Sequence, residues 1–525
     1  MTVGVILSSS YIQDGLLAEF GLIPPSFLPL GNRRLYCQQV RMLRKFCDHI
    51  VLTVPFDFEL PKRDVKALAE LGVEISPGDP SKTISQALLH SIAQIDDTHD
   101  GIIVVYGDTL FDGLDDIPHD AYGAHFAIDQ YKWEPAPIVS QDTSEAISGL
   151  VVSGLFSFSS IAHLRQSLIA QNTNIIDVMR RYSKIKPLRM LTTGNWYDFG
   201  HTRTYYISCG YLTTQRSFNS LNITQKYAEK QSKDRAKMAA EANWFESLPP
   251  LMRIYAPTYL GRVEYNAQQI GYRTANTYLS TLSNLASFGK LNDNAWNTVF
   301  AACKEFLDAE KSVPAPSGEN FDSAAYYQPK TEQRLQLFAE TFNFDINSPI
   351  SVNGKKVPSP TDMAVLASDI IATDAEPVPV LIHGDFCFSN IFFDFRSRLV
   401  KVIDPRGISP DGKTTVYGDP RYDIAKLSHS ALGWYDAIIS GDMQAQRIGR
   451  DFDLDIGKDV IETWSSVKAA FEKGDIVTSD VARRVNHAIM VHLFLSMLPL
   501  HADNPGRQTA FLANAGRLFL ELESF

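Results

Sequence analysis

From Val3 to about Tyr211, short apolar runs alternate with stretches of helical periodicity. The runs VGVIL (3–7), HIVLTVP (49–55), GIIVVYGD (101–108) and SGLVVSGLFSFS (148–159) predict strands, and RRLYCQQVRMLRKFC (33–47) and SKTISQALLHSIAQI (81–95) predict crossover helices. That rhythm predicts an α/β domain with a mostly parallel sheet and helices on both faces. Ligands of such sheets gather beyond the carboxyl ends of the strands, so the residues after VGVIL and IIVVY matter most.

Beyond that point the pattern changes. Strand-like pieces between about Arg216 and Leu260 lead into a charged helix, SKDRAKMAAEANWFESL (232–248), which Pro249-Pro250 closes. The chain then reads as largely helical to about Glu376, with an exposed loop near 312–320. PVPVLIHGDF (377–386) and RLVKVIDP (398–405) read as a strand pair around a loop, with helices from there to the end. The boundaries expected are one domain at 1–211 and a second at 212–525, the latter with a small lobe at about 212–270 and a large lobe at about 271–525.

Composition narrows the classes. A chain of 525 residues with 45% hydrophobic and 21% charged residues builds real cores in more than one unit. A formal charge of −11 without a basic run argues against a nucleic-acid binder. Five scattered cysteines without a CxxC pair argue for a reducing compartment. With neither an uncharged run long enough to span a membrane nor a leader-like start, a cytoplasmic location is expected.

The strongest chemical pattern lies late in the chain. His383-Gly384-Asp385-Phe386-Cys387-Phe388-Ser389-Asn390 is followed, fourteen residues after Asn390, by Asp404 in Ile403-Asp404-Pro405. Phosphoryl transfer needs a carboxylate beside the acceptor hydroxyl and hard oxygen donors for magnesium, and an Asp, an Asn and a further Asp supply both. The bland alternative is a Gly-Asp turn with an Asn cap and an unrelated surface Asp. The series, with GDPRYDIAKLSHS (418–430) after it, resembles the aminoglycoside phosphotransferase and choline kinase family, which has a protein-kinase-like α+β fold. The resemblance implies Asp385 as catalytic base and Asn390 and Asp404 as Mg2+ ligands, with ATP as phosphoryl donor. It leaves His383, Asp419 and Asp423 as structural residues near the site. A kinase of this fold also needs a strand Lys, held by a helical Glu, to meet the nucleotide. Lys230 and Glu241 have a plausible separation, with Lys226 as the rival, and RSFNSLN (216–222) stands where a Gly-rich loop is expected.

In the first domain, VVYGDTLF (104–111) puts Asp108 after a central strand and NWYDFGHTRTYY (195–206) puts Asp198 before a turn and helix. Two carboxylates at strand ends suit a shared magnesium on nucleotide phosphates. Singly, each is a turn residue. With IPPSFLPLGNRRLYCQQV (23–40), they resemble the sugar-phosphate and phosphocholine nucleotidyltransferases, implying a Rossmann-like nucleotidyltransferase fold in which Asp108 and Asp198 bind metal. Two features of that family are missing. Ser8-Ser9-Ser10 replaces the Gly-rich loop, so serine hydroxyls and N–H groups would have to hold the nucleotide, and Pro25-Ser26 replaces Pro-Lys.

These resemblances imply a bifunctional enzyme. It would phosphorylate a small hydroxylated acceptor with ATP and then join the phosphomonoester to a second nucleoside triphosphate, giving an activated NDP or CDP donor for surface polysaccharide. The alternatives are a single-activity kinase with a degenerate front module, and a non-catalytic scaffold. No nucleic-acid or membrane partner is expected. For the acceptor, Tyr326, Tyr327, Trp434 and Tyr435 are candidates to frame a quaternary ammonium, with core packing as the plain alternative, and Tyr131-Lys132-Trp133-Glu134 is a candidate pocket lining or an exposed loop.

Overall fold

A computed structural model of the chain describes residues 2–523 apart from 94, 96–98, 100, 138–148, 170–173, 213–218, 267–268, 318–322 and 324–325. The chain divides into two compact units: Met1–Thr213 with Phe288–Lys290, and Thr214–Ser287 with Leu291–Phe525. Residues 213–218, which include the first three of the stretch 216–222 where a Gly-rich loop is expected, lie outside the described residues, as do 318–320 of the expected loop at 312–320.

The first unit is built on a seven-stranded sheet in the order Val73–Gly78, His49–Pro55, Thr2–Leu7, Gly101–Tyr106, Leu150–Phe158, Ala121–Phe126, Arg189–Leu191. The first four run parallel, Leu150–Phe158 is antiparallel to both its neighbours, and the last two are parallel to each other. Its inner strands are apolar on both faces because helices cover both, which is why they read as continuous runs. One face packs Val3, Val5, Ile102, Val104 and Phe156 against Leu88, Ile92, Leu164 and Met179. Val73–Gly78, Ala121–Phe126 and Arg189–Leu191 were not expected; each carries polar or exposed residues that hide the pattern, and the last is only three residues long.

In the second unit, an antiparallel sheet runs Asn219–Ile223, Tyr227–Ser232, Gln269–Ala275, Tyr259–Asn266, and the helix Arg235–Ser247 follows its second strand. The indole N–H of Trp244 on that helix donates to the Ile382 carbonyl at 2.8 Å, and its ring meets His383 edge to face at 5.5 Å. The helix thereby grips the segment that leads into Asp385.

Two expectations for the rest of this unit are corrected. The segments 377–386 and 398–405 do not pair with each other. Leu399–Val402 pairs with Ile391–Asp394 in a hairpin, while Val380–Leu381 pairs with Tyr417–Gly418. The apolar IFF run supplies a nearer partner, so loop closure is shorter than the expected pairing would need. Nor is the end purely helical: Met443–Ile448 and Asp451–Ile456 form a hairpin that extends the Ile350–Val352 and Lys355–Val357 pair. The helices Asp293–Lys311, Gln328–Phe342, Pro360–Ile371, Pro420–Ala431, Lys458–Lys473, Asp480–Met497 and Pro505–Leu522 form the remaining body. Among the described residues, no helix is long and apolar enough to cross a membrane.

Candidate active sites

In the second unit, residues His383 to Asn390 form a loop held from beneath. The buried carboxylate of Asp423 accepts from the N–H groups of His383 (2.6 Å), Gly384 (2.9 Å) and Phe386 (3.4 Å), and Glu310 accepts from His383 N–H at 2.8 Å. Burial pushes both carboxyls up, and the neighbouring Asp423 charge raises Glu310 further. Gly384 stands at φ +77°, and a Cβ there would sit 2.8 Å from Cβ of Arg406, so the turn requires glycine. His383 is wholly buried, with Nε2 2.9 Å from the Ile403 carbonyl, and burial lowers its pKa. Asp419 caps the helix Pro420–Ala431, accepting from Arg421 N–H at 2.8 Å and from the Tyr327 hydroxyl at 2.6 Å.

This bracing aims Asp385. The Asn390 amide donates to Asp385 Oδ2 at 3.0 Å, and Lys426 Nζ lies 2.7 Å from Oδ1. Burial works against the Asp385 charge, but the Lys426 ammonium outweighs it and holds the carboxyl well below the usual carboxylate range. The side chain remains 40% exposed, so a solute can reach it. Asn390 and Asp404 flank the same end of the Ile391–Val402 hairpin, where Ile403 N–H donates to the Asn390 carbonyl at 3.0 Å. Asp404 has φ +59°, a left-handed conformation uncommon outside glycine, and its side chain is 43% exposed.

Lys230, on the strand Tyr227–Ser232, places its ammonium 2.8 Å from Glu241 and 3.0 Å from Asp404. Burial opposes the Lys230 charge, yet Asp404 and Glu241 together raise its pKa. Tyr272 donates to Glu241 at 2.8 Å and completes the clamp. Lys226 is exposed on the turn before the strand. Asp385 with Asn390, and Asp404 with Lys230 and Glu241, are thus two directly joined groups, linked through the N–H of Ile403, one residue before Asp404, which donates to the Asn390 carbonyl.

Sequence reading missed Lys426, Tyr422, Lys330 and Arg406. Lys426 was detectable as the one cation inside an otherwise apolar or small-residue helix turn, IAKLSHSA (424–431). Tyr326 and Tyr327 are buried, with the Tyr327 hydroxyl committed to Asp419, while Tyr435 stacks on Phe511 and Arg517 covers Trp434. The four aromatics are packing residues and do not form a cage.

In the first unit, Asp108 and Asp198 are brought together by the antiparallel pairing of Asp198 with Thr109. Burial first, and then the nearby Asp198 charge, raise the Asp108 pKa to about 6. A Cβ on Gly200 would lie 2.4 Å from Asp108 Oδ2, so a larger residue there would displace this carboxylate. His201 Nδ1 lies 2.9 Å from Asp198 Oδ2, and the Thr204 hydroxyl donates to the same oxygen. Burial depresses His201, but this hydrogen bond and the Asp198 charge prevail and raise it. Tyr131 stacks on His201 at 4.0 Å, and Trp133 meets His201 and Trp196 edge to face.

The Ser8 hydroxyl accepts from Ser26 N–H at 3.0 Å and is fully buried, Ser9 is nearly so, and Ser10 is exposed. Among the described residues, no group of three or more His, Cys, Asp and Glu side chains gathers as a metal site. The oxygen donors present, Asn390 with Asp404 and Asp108 with Asp198, are nevertheless the hard type that magnesium prefers beside phosphate oxygens.

No protein-family model and no curated protein matches the chain. Among solved structures, a thermostable mutant of aminoglycoside phosphotransferase APH(4)-Ia, in ternary complex with ADP and hygromycin B, is 14% identical with a TM-score of 0.38, covering 59% of this chain and 92% of that one. The GDP and kanamycin complex of APH(2")-IIia is 16% identical with a TM-score of 0.34 over 59% of this chain and 92% of that one. HddC from Yersinia pseudotuberculosis is 15% identical with a TM-score of 0.31, covering 41% of this chain and 100% of that one.

Proposed function

We propose that the second unit is an ATP-dependent kinase for a small hydroxylated molecule. The observation that carries this reading is the joining of Asp385, Asn390, Asp404 and the Lys230–Glu241 pair in one site. Asp385 accepts a hydrogen bond from the acceptor hydroxyl and aims its oxygen at the γ-phosphorus. As the new O–P bond forms, the bond from the γ-phosphorus to the β,γ-bridging oxygen breaks, ADP leaves and Asp385 takes the proton. A carboxylate held below its usual pKa is a weak base, which suits a loose transition state in which the hydroxyl proton departs late. Lys230, freed from Asp404, meets nucleotide phosphates while Glu241 keeps it oriented. Asn390 and Asp404 would hold Mg2+, which offsets phosphate charge when bound.

For the first unit the Asp108–Asp198 pair favours nucleotidyl transfer. A phosphomonoester oxygen attacks the α-phosphorus of a nucleoside triphosphate and pyrophosphate leaves. Acting in sequence, the two units yield an activated NDP or CDP donor of the kind consumed in surface-polysaccharide assembly. The second reading, a single-activity kinase with a degenerate front module, draws on the Ser8 hydroxyl being spent on Ser26.

The test supplies ATP with alcohols, amino alcohols, polyols, sugars and their phosphates and follows ADP, then adds each nucleoside triphosphate and follows pyrophosphate. ADP release that Asp385→Ala abolishes is expected. Pyrophosphate release lost in Asp108→Ala supports two activities, and its absence with every phosphorylated acceptor favours the degenerate module.

A further inference from the structure

Beside Asp385 lies a group of cations that the phosphoryl-transfer machinery leaves unused. Lys330 and Arg334 sit one turn apart on the helix Gln328–Phe342, Tyr422 and Lys426 one turn apart on Pro420–Ala431, and Arg406 follows Asp404 by two residues. Lys330 Nζ donates to the Tyr422 hydroxyl at 3.2 Å, and a guanidinium nitrogen of Arg406 reaches the same oxygen at 3.4 Å. Arg406 N–H donates to the His383 carbonyl, which fixes this arginine against the turn that carries Asp385. Arg334 spends one N–H on the Ser496 carbonyl at 2.9 Å.

The charges do not balance. Lys426 is matched by Asp385, but among the described residues no carboxylate lies within ion-pair distance of Lys330, Arg334 or Arg406. The nearby acids are otherwise engaged: Asp419 with Arg421, Asp404 with Lys230, and Asp423 with the loop N–H groups. Burial and the neighbouring Arg406, Arg334 and Lys426 lower the Lys330 pKa, and Lys330, Arg406 and Lys426, acting against burial, pull the Tyr422 phenol down to about 8. Part-buried like charges held together repel strongly, and a bound anion would relieve them.

We infer that the acceptor phosphorylated at Asp385 is itself an anion, an alcohol bearing a phosphate or carboxylate group that Lys330 and Arg406 hold across the Tyr422 hydroxyl. This rests on the kinase reading and deepens it. It points away from cationic amino alcohols, for which the cluster is repulsive. The anionic group anchors one end of the acceptor, and its hydroxyl is presented to Asp385.

The test uses the full chain with matched probes: glycerol, glycerate and glycerol 3-phosphate, and ribose against ribose 5-phosphate. In the ADP assay, an anionic member is expected to exceed its neutral parent in kcat/KM by at least about tenfold, the size of a single well-placed charge contact. Glycerate against glycerol 3-phosphate separates carboxylate from phosphate recognition. Lys330→Gln and Arg406→Gln should each raise KM for the anionic probe by about tenfold or more and leave KM for ATP within about twofold, while Lys330→Arg recovers most of the loss. If no probe yields ADP, the kinase reading is at fault, and calorimetric titration decides the anion site separately. Protein saturated with a non-hydrolysable ATP analogue should bind glycerol 3-phosphate or glycerate, and Lys330→Gln should bind it about tenfold more weakly. Equal or better use of the neutral parents, a change confined to ATP, or no binding of either anion overturns the inference.

Discussion

At the scale of single residues, charges stand where burial would normally suppress them. Asp385 stays ionised because Lys426 lies 2.7 Å away. Its folded pKa is depressed, so any stability it contributes is present above the unfolded pKa and is lost only as pH falls through the lower folded value. No acid limb in kcat/KM above about pH 4 should therefore come from Asp385. Lys426→Met should move such a limb upward, and a pH–rate profile measures it. Asp108 behaves in the opposite way. Its pKa is raised to about 6, so its protonated form is favoured by folding, and that stability is full below the unfolded value near 4 and gone once pH rises through about 6. Asp108→Asn should therefore stabilise the protein at pH 7.5, by at most about 3 kcal/mol, and have little effect near pH 4, as thermal melts at the two pH values will show. Asp385, Asp404 and Asp108 were legible because each follows an apolar run that fixes its place. Lys330 and Arg406 were not, because nothing local distinguishes them from solvated surface cations.

At the scale of elements, the loop that carries Asp385 is shaped by the helix Pro420–Ala431 rather than by its own sequence. Asp423 accepts three backbone N–H groups at once. Asp423→Ala would leave the Gly384 and Phe386 N–H groups unpaired while His383 N–H keeps Glu310, at a cost on the order of 3 kcal/mol, with activity falling along with stability in denaturant titrations. Asp423→Asn, which keeps one acceptor oxygen, should lose less. The link between HGD and GDPRYD was visible only as two motifs in one chain, and that one braces the other follows from a contact 39 residues apart. Likewise, the small-lobe strand that presents Lys230 was hard to place among polar residues. Pairing on both sides, with Asn219–Ile223 and Gln269–Ala275, defines it, and neither partner has a clear apolar alternation.

At the scale of the whole molecule, the rhythm of strand and helix conveyed the α/β character of the first unit, because parallel strands buried on both faces are apolar throughout. It did not convey the reversed strand Leu150–Phe158, whose direction is set by connections and not by composition. The hairpin Met443–Ile456 was missed because its alternating polar residues look like loop. The two candidate sites thus lie on separate units, and the proposal rests mainly on the one around Asp385. The most direct measurement pairs ADP formation over the acceptor panel with nucleotide binding, in the wild type and in Asp385→Asn. Turnover that falls by about 10^2 to 10^4-fold in the variant while ATP affinity is kept is the expected result. Unchanged turnover in Asp385→Asn, or no ADP from any acceptor, would contradict the assignment.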